Sequence, residues 1–232
     1  MDNAPVRAIF NRIAPAYDEL NDWLSLGQHR VWKKLAVKWS GAQSGDRCLD
    51  VCCGSGDLTL LLAQQVAPKG QVVGVDFAPA QLAIAQHRSY DRCIDPWVTW
   101  VEGDALALPF STDEFDAATM GYGLRNVTNP RQALAELQRV LKPGATVAIL
   151  DFHRPESKAL QLLQTWYLQN LVVPTAQSYG LGAEYAYIQA SLDQFLTGPE
   201  QVTLAQQVGF ATAIHYPLVG GMMGVLCATT RG

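Results

Sequence analysis

Cys48-Leu49-Asp50-Val51-Cys52-Cys53-Gly54-Ser55-Gly56-Asp57 is the stretch on which the fold of this chain turns. An apolar rise runs into a glycine turn, and Leu58-Thr59-Leu60-Leu61-Leu62-Ala63 then reads as the apolar face of a helix. Strand, glycine turn and helix form the unit that receives a nucleotide-like ligand. The glycines let the backbone approach closely, and the helix N-terminus offers unpaired N–H groups. A second check is an acid about 20 positions on, at the end of the next strand. Gln71-Val72-Val73-Gly74-Val75 is that strand, and Asp76, placed to hold ribose hydroxyls, ends it 20 positions after Gly56. The match to a dinucleotide fingerprint is imperfect, because Cys52 stands where the first glycine belongs. The tail Gly-Ser-Gly-Asp leaves a pyrophosphate no cradle. A nucleoside-type ligand without phosphates fits better, which leans toward S-adenosylmethionine. Two other readings stand beside it: a tight strand-to-helix turn with an incidental acid, and a nicotinamide-dependent oxidoreductase.

The 232 residues contain no evident linker and read as one domain, residues 1–232. With 49% hydrophobic and 16% charged residues, the chain can fill a large core. A net charge of −4 argues against a nucleic-acid partner, which wants a basic face. The five cysteines, Cys48, Cys52, Cys53, Cys93 and Cys227, show no metal-ligand spacing, so no metal site is expected. Cys52 and Cys53 read as small buried residues of a strand end rather than as reactive thiols. The start Met1-Asp2-Asn3-Ala4-Pro5 lacks the basic and apolar regions of a secretory signal, and no apolar run is long enough to span a bilayer. A soluble, intracellular protein with reduced thiols is expected.

Residues 1–40 read as a helical arm. Val6, Ile9, Phe10, Ile13 and Tyr17 recur at helix spacing, Pro15 interrupts them, and an amphipathic stretch from Trp23 to Trp39 ends at Ser40-Gly41. Pro79 suits the first turn of a helix running to His87. Trp97–Glu102 is the third strand, closing in Gly103-Asp104-Ala105. There an acid and a backbone N–H suit the edge of an adenine, although an Asp after a strand is also a common turn former. Phe115–Met120 is the fourth strand and runs into Gly121-Tyr122-Gly123-Leu124-Arg125-Asn126-Val127. In an open α/β sheet this loop faces the first glycine turn across the topological switch point. Asn129-Pro130 opens a helix with apolar positions Ala133, Leu134, Leu137, Val140 and Leu141, stopped by Lys142-Pro143-Gly144. Ala145–Leu150 is a fifth, buried strand ending at Asp151-Phe152-His153.

Strand and helix then stop alternating. Residues 154–197 read as a helical insertion, with a greasy stretch from Leu160 to Val173 ended by Pro174, then Tyr179-Gly180-Leu181-Gly182, then Tyr185 to Phe195. An apolar insertion here suits a substrate lid, or simply helices packed on their neighbours. A last helix runs from Gly198 to Val208. Ala211–Tyr216 and Val225–Thr229 are two strands joined by too few residues for a parallel crossover, hence an antiparallel pair at one sheet edge.

Seven mostly parallel strands with an antiparallel ending resemble the class I S-adenosylmethionine-dependent methyltransferases, a Rossmann-like α/β fold with helices on both faces. More specific stretches narrow this. Phe10-Asn11-Arg12-Ile13-Ala14-Pro15-Ala16-Tyr17-Asp18 with Asn21, the Tyr122–Val127 loop, and Tyr185-Ala186-Tyr187 with Ser191 and Phe195 resemble the menaquinone and ubiquinone biosynthesis C-methyltransferases. Cys52-Cys53-Gly54-Ser55-Gly56-Asp57-Leu58 looks most like that family's branch in cyanobacteria and plastids that makes phylloquinone.

The resemblance implies S-adenosyl-L-methionine as cofactor and S-adenosyl-L-homocysteine as product. The implied acceptor is a prenylated naphthoquinol, demethylphylloquinol (2-phytyl-1,4-naphthoquinol), with demethylmenaquinol, a ubiquinone precursor or another small aromatic as alternatives. Asp50, Cys53, Gly54, Ser55, Gly56, Asp76, Asp104, Ala105 and Gly121 are expected to hold the cofactor. Arg125, Asn126 and Tyr17 are expected at the chemistry. Arg125 stays protonated and so steadies a phenolate or a water rather than acting as base. Tyr122, Trp166 and Tyr185 are expected to meet the substrate. A cytoplasmic protein that touches a membrane peripherally, through Trp166 and Tyr167, follows from the apolar tail. His153 stands where this family has a small polar residue and is not promoted to base. The sequence carries no signal for oligomeric state.

Overall fold

The computed structural model describes residues 25, 27–182 and 191–232. Tyr17, Tyr185 and most of the expected N-terminal arm lie outside the described residues. Seven strands form one sheet: β1 (Arg47–Val51), β2 (Gln71–Asp76), β3 (Val98–Glu102), β4 (Phe115–Gly121), β5 (Leu141–Phe152), β6 (Thr212–Leu218) and β7 (Met223–Thr229). Their spatial order is β3-β2-β1-β4-β5-β7-β6. The first five are parallel, and β7 lies antiparallel between β5 and β6. The expected edge pair is present, with β6 outermost.

The helices are α1 (Gln28–Trp39), α2 (Asp57–Val66), α3 (Pro79–Asp91), α4 (Pro130–Val140), α5 (Lys158–Tyr167), α6 (Val173–Ser178) and α7 (Gly198–Val208). Central strands buried on both faces read as near-continuous apolar runs because helices cover each side. On one face Leu49, Val73, Met120 and Ile149 pack with Leu134 and Leu137 of α4 and Ala205 of α7. On the other, Cys48, Val72, Ala117 and Leu150 pack with Ala36 of α1 and Leu60 and Ala63 of α2. Local chemistry sets the helix starts. Asn129 Oδ1 accepts from Gln132 N–H at 3.1 Å ahead of α4, and Glu200 Oε2 accepts from Thr197 N–H at 2.8 Å at the start of α7.

Two boundaries differ from the sequence reading. Leu141 belongs to β5, not to α4. Pairing with β4 begins at Leu141 opposite Phe115 and resumes at Thr146 opposite Ala117, so Lys142-Pro143-Gly144 forms a bulge in the strand rather than a separate stop. Pro174 does not end the helical stretch either. A π-helical turn at Leu168–Val172 joins α5 to α6, and this wider turn accommodates a ring that would otherwise clash with the carbonyl four residues back.

Candidate active site

Chain order reverses between β1 and β4, and there the carboxyl ends of the strands open into a cleft. Eight of the nine residues expected to hold a cofactor line it, from Asp50 and Cys53 at the first turn to Gly121 at the end of β4. The ninth, Gly56, lies beneath. Its φ is +89°, and a Cβ there would stand 2.7 Å from the Trp100 ring and 3.1 Å from Ala85 Cβ. Gly74, also under that ring, completes the space for it.

The glycine turn is tied to β2. Cys53 N–H donates to Val75 O at 3.0 Å, and Gly54 N–H donates to Asp76 Oδ2 at 2.8 Å. The other Asp76 oxygen accepts from Ala78 N–H at 2.9 Å. Burial pushes the Asp76 carboxyl up, and these N–H donors hold back part of that rise. Asp104 caps its own turn by accepting from Leu106 N–H at 2.9 Å. Asp50 is fully buried under the turn, with Thr59 Oγ1 at 2.6 Å and Thr119 Oγ1 at 2.8 Å. Burial raises its carboxyl to about 7 despite both hydroxyl donors. The Cys52 and Cys53 thiols are pushed well up by burial, so both stay protonated. Cys52 also packs so closely against Gly123 that a Cβ there would meet its Sγ at 2.8 Å.

The opposite wall comes from the loop after β4. Tyr122 adopts φ +58°, donates its N–H to Leu150 O at 2.7 Å, and stacks on Phe152 at 5.4 Å. Asn126 lines the cleft. Its Nδ2 donates to Tyr122 O at 2.7 Å, whereas Oδ1 is buried without a hydrogen-bond partner among the described residues. Arg125 does not line the cleft. Its guanidinium turns behind the wall, with Nε donating to Asp151 Oδ1 at 3.3 Å and Nη1 to Ser191 Oγ. Its backbone N–H donates to Asp151 Oδ2 at 3.0 Å. Burial pushes the Asp151 carboxyl up, against the pull of Arg125.

Trp166 is not brought to the cleft; it stands 55% exposed on α5. His153 is also off the cleft, buried with its Nε2 3.0 Å from His215 Nε2 and its ring against Phe195. Burial and the neighbouring His215 and Arg125 hold it down to about 3, so it is neutral.

Sequence reasoning missed an ion group at the mouth of the turn. Asp57, the first residue of α2, meets Lys33 Nζ and Arg88 Nη2, each at 2.5 Å. Burial alone would raise Asp57, but the two cations hold it well below the usual carboxylate range. A signal was present: Lys33 sits with His29, Ala36 and Val37 on the buried face of α1, where a charge needs a reason.

The donor set fits a nucleoside with an amino-acid tail. Acids stand at the ends of β2 and β3, backbone N–H groups at the turn, and Lys33 is the one cation on the cleft wall among the described residues. A diphosphate would call for more positive charge than that. Comparison with known proteins agrees: residues 1–230 match the ubiE/COQ5 methyltransferase family. The chain belongs to that family. Its ubiE/COQ5 relatives include the 2-phytyl-1,4-naphthoquinone methyltransferase of Trichormus variabilis, 59% identical over 221 residues, which cover 95% of this chain and 96% of that protein. The chloroplastic 2-phytyl-1,4-β-naphthoquinone methyltransferase of Arabidopsis thaliana is 52% identical over 228 residues, covering 96% and 86%. A solved S-adenosylmethionine-dependent methyltransferase from Aquifex aeolicus shares the fold at a TM-score of 0.65 and 17% identity, covering 91% of this chain and 97% of that one. This ubiE/COQ5 chain is accordingly a class I methyltransferase in fold, and its cofactor is S-adenosyl-L-methionine.

Proposed function

We propose that this chain methylates a ring carbon of 2-phytyl-1,4-naphthoquinol, the reduced form of the compound its relatives are named for, as the last methylation of phylloquinone formation. The observation that carries the reduced form is Asn126. One Nδ2 hydrogen goes to Tyr122 O, and the group left wholly unpaired among the described residues is an acceptor, Oδ1. A quinol hydroxyl donates to an acceptor and a quinone oxygen does not, so the amide suits the quinol. An unpaired buried acceptor costs about 1–3 kcal/mol, which a donating substrate recovers.

When bound, the cofactor supplies an electrophilic methyl group on a good leaving group. The chain's own task is positioning, worth roughly 7–11 kcal/mol in well-oriented systems. Asn126 orients the ring oxygen. Arg125 remains protonated and takes no proton. From behind Asn126 it places positive charge near the oxygen that becomes a phenolate, or near the water that accepts its proton. Tyr17, outside the described residues, completes this set in our reading, with Tyr122 and Tyr185 against the substrate. The whole chain, 1–232, acts as one domain, and residues 154–197 form the lid over the apolar tail.

The test is methyl transfer from labelled S-adenosylmethionine to 2-phytyl-1,4-naphthoquinone, with and without a chemical reductant. Product only under reduction is expected. Equal rates without reductant overturn the quinol reading, and no product in either arm overturns the substrate.

The phytyl tail places the substrate in a membrane, and we assign the docking face to α5. Leu162, Leu163 and Trp166 are 73%, 51% and 55% exposed on it. No charged residue stands between Lys158 and Glu184. Tyr167, which the sequence paired with Trp166 here, instead packs against the small core of Leu168 and Val172. Among the described residues no helix is long and apolar enough to cross a membrane, which suits peripheral contact. Replacing Leu162, Leu163 and Trp166 with Ser is expected to abolish co-sedimentation with vesicles. Turnover of a short-tailed quinol should persist. Undiminished co-sedimentation would remove α5 from the docking surface.

A further inference from the structure

We infer that Ser191 is a positioning residue for methyl transfer, through which the insertion over the phytyl tail holds Arg125 in place behind Asn126. This deepens the quinol reading above, on which it rests: the tail raises the rate of the chemical step as well as the affinity. Arg125 and Asp151 face each other with 5% and 1% of their side chains exposed, yet the pair is loose. Arg125 Nε reaches Asp151 Oδ1 at 3.3 Å, whereas charge-assisted N–H···O bonds run about 2.7–2.9 Å. Asp151 has other donors to serve. Its oxygens also accept the backbone N–H groups of Arg125, at 3.0 Å, and of Phe152, at 2.8 Å.

Asp151 therefore fixes the loop more firmly than it fixes the end of the side chain. An arginine has many rotamers to lose, and one long bond to Nε leaves its terminal nitrogens to be placed by another group. Ser191 Oγ, which accepts from Nη1, places them. The hydroxyl is neutral, so it contributes direction rather than charge balance. The Phe152 ring, 5.6 Å from the guanidinium carbon, offers a π-face and little direction.

What seats Ser191 is the insertion. The next residue, Leu192, belongs to the insertion's own core with Leu168, Val172, Ala176 and Leu181. Those five buried residues are few beside the cores on the two faces of the sheet. An element with so little apolar burial opens more readily than the body it rests on. A phytyl tail lying under the insertion adds apolar contact to it, and so firms the seat of Leu192, of Ser191 and of the guanidinium. Phe152 makes a second connection of this kind, packing against both the insertion's core and the Tyr122 ring of the cleft wall. Binding energy from the unreactive tail is thereby realised at the reacting end, where it raises kcat instead of only lowering KM.

Single-turnover methyl transfer in detergent, with the full chain saturated in cofactor and quinol, tests this on two reduced substrates. One is 2-phytyl-1,4-naphthoquinol, and the other carries one isoprenoid unit in place of the phytyl chain. In the unaltered protein the phytyl compound should react about 3- to 10-fold faster at saturation, the range of one ordinary hydrogen bond. Ser191→Ala should slow the phytyl compound and bring the two rates to within about twofold of each other. Ser191→Thr, which keeps a hydroxyl, should restore most of the difference. Affinity for S-adenosylhomocysteine should stay within about twofold in both variants, which certifies the fold. Equal slowing of both substrates in Ser191→Ala would make Ser191 a strut indifferent to the tail and overturn the inference, as would unaltered rates. The arm without a variant is decisive by itself. Equal saturated rates in the unaltered protein, with the tail felt in KM alone, would overturn the inference and leave the quinol reading intact. No methylation of either quinol would overturn both.

Discussion

Replacing Arg125 with Met should cost the protein twice, in turnover and in stability, and the two losses should separate. Arg125 and Asp151 are 5% and 1% exposed at their side chains. Removing one partner of such a buried pair leaves the other charge uncompensated, at a cost of roughly 3–5 kcal/mol. The variant is therefore expected to melt well below the unaltered protein. Turnover of the quinol should also fall, by less than the roughly 100- to 1,000-fold lost with a direct oxyanion donor, because Arg125 acts from behind the cleft wall. Adding Asp151→Asn removes the stranded carboxylate. In the double variant the melting temperature should recover, because no buried charge is left unpaired. Turnover should not recover, because the positive charge behind Asn126 is still missing. Thermal denaturation and single-turnover methyl transfer on the same preparations check this. Turnover returning along with stability would reduce Arg125 to a strut joining the β4 loop, β5 and Ser191, and would end its role in the chemistry.

That dual character of Arg125 marks where sequence reasoning stopped. A cation beside an amide in a glycine-flanked loop is visible at Arg125-Asn126. The direction of its guanidinium is not, because that depends on Asp151, 26 residues away, and on Ser191 in the insertion. The strand framework was legible because β2 and β4 are short, largely apolar runs that end at Asp76 and Gly121, and β1 is one that runs into the glycine turn. The start of α7 was legible for a local reason, since Thr197, Pro199 and Glu200 satisfy its first turn. Lys33 required a tertiary fact, that the buried face of α1 abuts the glycine turn. Tyr167, expected beside Trp166 on the exposed face, packs inward for a related reason. In a stretch as uniformly apolar as Leu160–Val173, periodicity does not distinguish the face that packs from the face that stays exposed. Nor does a proline announce that the preceding turn has widened to admit it, as at Pro174.

The second large effect is expected at Gly56, which touches neither the cleft nor any ligand we place in it. Gly56→Ala should lower affinity for S-adenosylhomocysteine by at least about 100-fold, from two additive costs. The residue sits at φ +89°, in the left-handed region where a side chain costs roughly 1–2 kcal/mol. Its Cβ would also stand 2.7 Å from Trp100 Cη2, closer than any unstrained carbon contact. Trp100 has little room to yield, because Gly74 is pressed against the same ring and Ser89 Oγ receives its Nε1–H at 3.4 Å. The turn must move instead, carrying with it the Gly54 N–H that Asp76 holds and the start of α2. Shrinking the obstacle separates the two costs. Gly56→Ala with Trp100→Leu should regain the steric part of the loss and keep the backbone part, ending about 10-fold below the unaltered protein, as expected for the residual 1–2 kcal/mol. Titration of the single and double variants, alongside their melting curves, measures both parts. Unchanged affinity in Gly56→Ala would mean that the turn does not shape the cofactor site. The glycine would then be a requirement of folding alone.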